Sequence, residues 1–131
     1  MIVIDTHVLI WWVSDPDKLS EKARKTIEAE KKSGSILVSS ISVWEIYLLI
    51  AKDRLKLTMD TDSWLENIEN LPFIQFVSVD NRIAARSVLL PGEFHNDSAD
   101  RIIVATAREK GIPLITNDER IKQYAHVQTV W

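Results

Sequence analysis

Apolar and polar positions follow two rhythms along this chain. Short, β-branched apolar runs at Met1–Ile4 and Ile36–Ser39 are as expected of strands buried on both sides, and Ile74–Val79, Leu114–Thr116 and Val127–Val130 read as three further strands. Longer segments lie between them. His7–Val13 is an apolar helix, and Ser20 caps a polar one through Lys32 with Ala23 and Ile27 inward. Val43–Ala51 is helical, and Thr61 or Asp62 opens a helix in which Trp64, Leu65, Ile68 and Leu71 keep the 3.6 period. Asp80 caps a helix with Ile83, Ala84 and Val88 inward, Asp97–Lys110 forms a long helix, and Asn117-Asp118 caps a short last one. Gly34, Pro72, Pro91-Gly92, Gly111 and Pro113 punctuate the series. Strands alternating with helices predict βαβ units and a parallel sheet. The expected fold is α/β: a three-layer α/β/α sandwich with a central parallel sheet of four to five strands, one domain over residues 1–131.

One stretch breaks the polarity pattern. Ile36–Ala51 contains sixteen residues and a single charge, Glu45, placed by this reading in the first turn of its helix. The helix is apolar nearly all round and is therefore expected to be buried. A carboxylate there is costly unless something compensates it, and a helix dipole contributes only about 0.3–1 kcal/mol. Glu45 calls for partners.

Composition narrows the setting. The 131 residues are 46% hydrophobic and 27% charged, as in ordinary globular proteins. There is no cysteine, so neither a disulfide framework nor a thiolate metal site is available. The start, Met1-Ile2-Val3-Ile4-Asp5, has no basic leader region, and no apolar run is long enough to span a bilayer. A cytoplasmic protein without a membrane partner is expected. The net charge of −3 supplies no general attraction for nucleic acid, which would need a local basic patch or metal ions.

Open parallel sheets place their sites beyond the carboxyl ends of the strands. Asp5 ends the first strand, Asp118 follows the fourth, Glu45 follows the second, and Asp97 and Asp100 open one helix three residues apart. Singly, Asp5, Asp97 and Asp118 also read as helix caps, Glu45 as half of a buried ion pair, and Asp100 as a surface partner of Arg101. Together the five acids share one rim. Such a cluster repels itself, and a hard divalent cation with oxygen ligands is the simplest compensation. His7, His95 and His126 sit in unrelated sequence contexts, and no nucleophile elbow is present.

Four motifs resemble one family in order. IDTHVLIWW, SSISVWEIYLLIAKDRLKL, HNDSADRIIVATA and LITNDERI resemble the acidic motifs of PIN-domain ribonucleases, specifically VapC-type toxins of toxin–antitoxin pairs, and they span Ile2 to Ile121. The resemblance implies metal-dependent hydrolysis of RNA phosphodiesters, with Asp5, Glu45, Asp100 and Asp118 as catalytic acids holding Mg²⁺ or Mn²⁺ and Asp97 as a further ligand. Thr6, Asn117 and Ser42 would support them, and Arg101, with Lys52 and Arg54, would be candidate RNA contacts. It also implies a homodimer and a VapB-type antitoxin. The chain departs from the pattern at Leu49, where many relatives have lysine, at Asp53, where they have glycine, and at Ser98-Ala99, where Pro-Phe is common; no acid is lost. Trp11, Trp12, Trp44 and Trp64 are expected mostly in the core.

Two other classes compete. A receiver-type signalling domain would use Asp5 and Asp80, but lacks a second acid beside Asp5 and a lysine on the last strand, and leaves Glu45 unexplained. A PIN-like scaffold that only binds its antitoxin keeps the motifs without the chemistry. A DxDx phosphatase is excluded by His7.

Overall fold

The computed structural model describes all residues, 1–131. Five strands, β1 (Ile2–Ile4), β2 (Ile36–Ser39), β3 (Ile74–Val77), β4 (Leu114–Ile115) and β5 (Thr129–Val130), form one sheet. Every pairing is parallel, in the order β3-β2-β1-β4-β5. Seven α-helices connect them: α1 (Thr6–Ser14), α2 (Glu21–Ser33), α3 (Ser40–Ala51), α4 (Thr61–Glu69), α5 (Asn81–Val88), α6 (Ser98–Lys110) and α7 (Glu119–Lys122). The α/β expectation with a parallel sheet is met.

The period of two in the strands sorts the core into two layers. Ile2, Ile4, Ile36, Val38, Ile74 and Ile115 face one side, packing on Val8 and Leu9 of α1, Ala23 and Ile27 of α2, Ile46 of α3, and Trp64 and Ile68 of α4. Val3, Leu37 and Leu114 face the other, against Ile83 of α5, Ile103, Val104 and Ala107 of α6, and Ile121 of α7. Helices cover both faces, so strand positions are apolar on both, and the sheet cannot show the alternation of a half-solvated one.

Local chemistry sets the ends of the elements. Ser20, Asp60 and Asp80 accept hydrogen bonds from the backbone amides of Ala23, Ser63 and Ile83, at 3.0, 3.0 and 2.8 Å. Each satisfies an amide that the first turn leaves unpaired. Gly111 ends α6 with φ of 65°, a left-handed conformation that side chains with a Cβ disfavour.

Four expectations fail in instructive ways. The helix α3 starts at Ser40, capped by Ser39, so Glu45 is its sixth residue and lies in the second turn. Only Ser42 and Ile46 of α3 are buried; Trp44 is 53% exposed and Tyr47, Leu48, Leu49 and Ile50 are half-buried. One sheet face can bury one stripe of a helix; Ile41, Leu49 and Ile50 pack at the edges of the two cores, and Trp44 is left exposed. Ala84 and Val88, both expected inward, are exposed, Val88 at 72%, because α5 turns Ile83 and Ser87 to the core. Among the tryptophans only Trp64 is buried; Trp11 and Trp12 are half-buried.

Ile4 has no exposed surface and leads directly to Asp5. Ile4→Ala is expected to cost about 2–5 kcal/mol, read as a lowered urea midpoint, since it leaves a cavity beneath the rim.

Candidate active site at the rim of the sheet

The strand order reverses direction at β1. The chain fills one side through β2 and β3, then crosses to β4 on the other, so loops diverge above the ends of β1 and β4 and leave a crevice there. Ile4 pairs with Ile115, and the Asp5 amide donates to the Ile115 carbonyl at 3.1 Å. Asp5 is therefore fixed beside Thr116, whose hydroxyl donates to Asp5 Oδ2 at 2.6 Å. The same hydroxyl oxygen accepts from the Asp118 amide at 3.0 Å. Thr116 thus joins two acids that are 113 positions apart in the chain.

A cavity of about 270 Å³ opens over this point, lined by acids from four segments: Asp5, Glu45, Asp97, Asp100 and Asp118. Two of them cap helices and still face the crevice. Asp97 Oδ1 accepts from the Asp100 amide at 3.0 Å, and Asp118 Oδ1 accepts from the Ile121 amide at 3.1 Å. In each the cap holds one carboxylate oxygen and leaves Oδ2 outside it, so the cap reading holds for both while both residues also line the cavity. Asp5 occupies the cap position of α1 but makes no side-chain cap bond.

Beneath the acids, the buried hydroxyls of Thr6 and Ser42 share a hydrogen bond of 2.8 Å that ties α1 to α3. Asn117 stands exposed at the mouth, its Oδ1 3.4 Å from Lys122 Nζ. Arg120 reaches over the centre, one guanidinium nitrogen 4.0 Å from both Asp100 Oδ2 and Asp118 Oδ2. His95 Nε2 lies 3.0 Å from Asp100 Oδ2 yet forms no aligned hydrogen bond.

The electrostatics follow from this crowding. Burial raises the Asp100 carboxyl to about 8, and the charges of Asp5, Asp97, Asp118 and Glu45 act in the same direction. Burial also raises Asp5, partly offset by the Thr116 hydroxyl, and raises Glu45, partly offset by Thr6. His95 is lowered by burial and then by the positive charge of Arg120. The donor set suits a divalent cation. One ligand atom each from His95, Asp100 and Asp118 lies within 4.8 Å of the others, and Arg120 already brings a positive charge up to two of these carboxylates.

The candidate RNA contacts are not gathered here. Arg101 donates to the carbonyls of Ser87 at 2.8 Å, Phe94 at 2.9 Å, His95 at 3.1 Å and Val88 at 3.2 Å. It fastens the loop before α6 to the end of α5, and its guanidinium is committed to backbone. Lys52 and Arg54 follow the far end of α3, about 10 Å along its axis from Glu45. Arg120 is the arginine at the centre.

Residues 2–127 match the PIN domain family model. Ribonuclease VapC22 of Mycobacterium tuberculosis is 35% identical over 132 aligned residues, covering 99% of this chain and 98% of that protein. The fold is similar to VapBC2 from Rickettsia felis, solved with a DNA fragment from its promoter, at a TM-score of 0.73 and 17% identity over 99% of this chain and 98% of that one. It is also similar to FitAcB from Neisseria gonorrhoeae, at a TM-score of 0.66 and 22% identity over 100% and 97%.

Sequence reasoning did not find Thr116, Arg120, His95 or His7. The histidines looked unrelated, yet His7 lines the acidic cavity and His95 meets Asp100. The one available signal was the two-residue spacing of His95 from Asp97. The raised carboxyl of Asp100 has a thermodynamic consequence. The folded state holds a proton that the unfolded chain releases near its ordinary 3.8, so this contribution is complete below about 4 and is lost as pH rises through about 8. In EDTA the urea-unfolding stability is expected to fall by on the order of 1 kcal/mol between pH 6.5 and 8.5, allowing for solvent screening. Asp100→Asn should flatten that slope; an equal slope in the variant would reject this origin.

Proposed function

The chain belongs to the PIN domain family, on its VapC ribonuclease branch, and we propose that it is a divalent-metal-dependent endoribonuclease that cleaves RNA phosphodiesters at this rim. One observation carries the reading: acids from four separated segments converge on a single cavity, although burial, with the neighbouring carboxylates acting in the same direction, pushes Asp100 up to about 8. A perturbed carboxyl among convergent acids in a cleft marks a functional site, and a divalent cation is the compensation that suits oxygen ligands.

Asp5, Glu45, Asp100 and Asp118 would hold Mg²⁺ or Mn²⁺, with Asp97 beside them. When bound, the cation lowers the pKa of an attacking water and neutralises charge developing on the phosphodiester. The chain's own residues do the positioning. Thr116 fixes the Asp5 carboxylate, and the caps at Asp97 and Asp118 fix theirs. The Thr6–Ser42 pair holds α1 and α3 at the spacing that brings Glu45 to Asp5. Arg120, 63% exposed and between two acids, would meet the substrate phosphate, and Asn117 would orient it from the mouth.

Toxin–antitoxin partnership accompanies this reading. A VapB-type antitoxin and a second copy of the chain are the proposed partners, supported by the similarity to Ribonuclease VapC22 and to the fold of VapBC complexes. No helix is long and apolar enough to cross a membrane; a cytoplasmic location is part of the proposal.

The test is cleavage of total RNA by antitoxin-free protein in Mg²⁺ or Mn²⁺. Cutting should stop in EDTA and fall at least about a hundredfold in Asp5→Asn, more than the loss of an outer-sphere partner alone. Cutting that survives both changes would remove the carboxylate-metal reading. Metal binding without cutting would favour the scaffold that only binds its antitoxin.

A further inference from the structure

Beside the acidic cavity lies a second hollow of about 460 Å³, lined by Gly92, Phe94, His95, Arg120, Gln123, Tyr124 and His126 among others. His95 and Arg120 connect it to the reaction centre: each belongs to its wall, and each also lies within 4.0 Å of Asp100. Building on the ribonuclease reading, we infer that this hollow receives one unpaired nucleobase of the RNA, the residue adjacent to the scissile phosphate.

The construction of the wall supports that occupant. Phe94 and Tyr124 stand 4.7 Å apart by ring centroids, Phe94 and His95 4.4 Å, and Tyr124 and His126 5.4 Å. This aromatic series is rigidly held. Arg101 grips the carbonyls of Phe94 and His95, and the Tyr124 hydroxyl donates to the Pro91 carbonyl. Gly92 turns the loop with φ of 67°, a left-handed conformation that residues with a Cβ disfavour. At the open side, His126 and Gln123 are exposed. His126 offers a ring to stack on a base, and the Gln123 amide offers both a donor and an acceptor for a base edge. Arg120 sits between the two cavities, where a nucleotide's phosphate must lie if its base enters one and its scissile bond the other. Stacking platforms flanked by an arginine are how single-stranded nucleic acid is held. A peptide side chain needs no aromatic series, and an isolated anion needs no hollow of this size.

The experiment compares wild type with His126→Ala and Gln123→Ala, both at exposed positions, after equal melting temperatures confirm folding. Binding of fluorescein-labelled single-stranded hexanucleotides of random sequence is read in EDTA by anisotropy, and cut ends in total RNA are mapped by sequencing with Mn²⁺. His126→Ala is expected to weaken binding by roughly 5- to 100-fold, the range for loss of one base stack. Both variants should flatten the base preference at one fixed position beside the cut, while the Mn²⁺-induced melting shift stays that of wild type. An abasic residue at that position should weaken the wild type as much as His126→Ala does, and add nothing in the variant. Unchanged binding and unchanged cut profile in both variants would overturn the base site alone. Wild type that neither binds nor cuts RNA would overturn the ribonuclease reading and this site with it.

Discussion

The contact between Asp5 and Thr116 is the constraint on which the functional half of this molecule depends. It places a carboxylate at the end of a fully buried strand, where solvent cannot stabilise its charge, and holds it with one hydroxyl. The cost is tolerable because the sheet around it is apolar on both faces and over-determines the position of β1. Parallel pairing of β1 with β4 then fixes Thr116 next to Asp5, and Thr116 passes the constraint on to Asp118. Stability spent at this one point by the fold becomes preorganisation at the site.

Repulsion among the remaining acids is managed by geometry rather than by pairing. Asp97 and Asp118 each commit one oxygen to a helix cap, which fixes the side chain and stabilises the helix start while leaving the second oxygen outside the cap. The single arginine at the centre stands 4.0 Å from two acids, too far to neutralise either fully and close enough to lower the field for an incoming phosphate. Arg101, one residue after Asp100, has a different task. By holding four backbone carbonyls it makes the loop of Phe94 and His95 rigid, so the wall of the neighbouring hollow and the side of the acidic cavity are set by the same side chain.

The partial cover of α3 belongs to the same economy of structure. An α/β sandwich offers each helix one sheet face, and α3 places Ile46 and Ser42 there. Ile41, Leu49 and Ile50 reach the edges of the two cores, and Trp44 is left exposed.

Much of this was legible in the order of residues. The strand periods named the sheet, because both-face burial requires uninterrupted apolar runs, and the positions of Asp5, Glu45, Asp97, Asp100 and Asp118 after strands placed all five acids on one rim. Those are consequences of local pattern and of a general rule of parallel sheets. What tertiary structure alone decided are the contacts between distant segments. Thr116 is an ordinary strand-end threonine until the register of β1 against β4 brings it to Asp5, and Arg120 is a helix arginine until α7 turns it over the acids. His95 and His126 share nothing in sequence; only the packing of the loop before α6 against the segment after α7 brings them to one hollow. The burial of α3 was misjudged for the same reason. Hydrophobicity along a helix says how much surface seeks cover, and only the packed fold says how much cover there is.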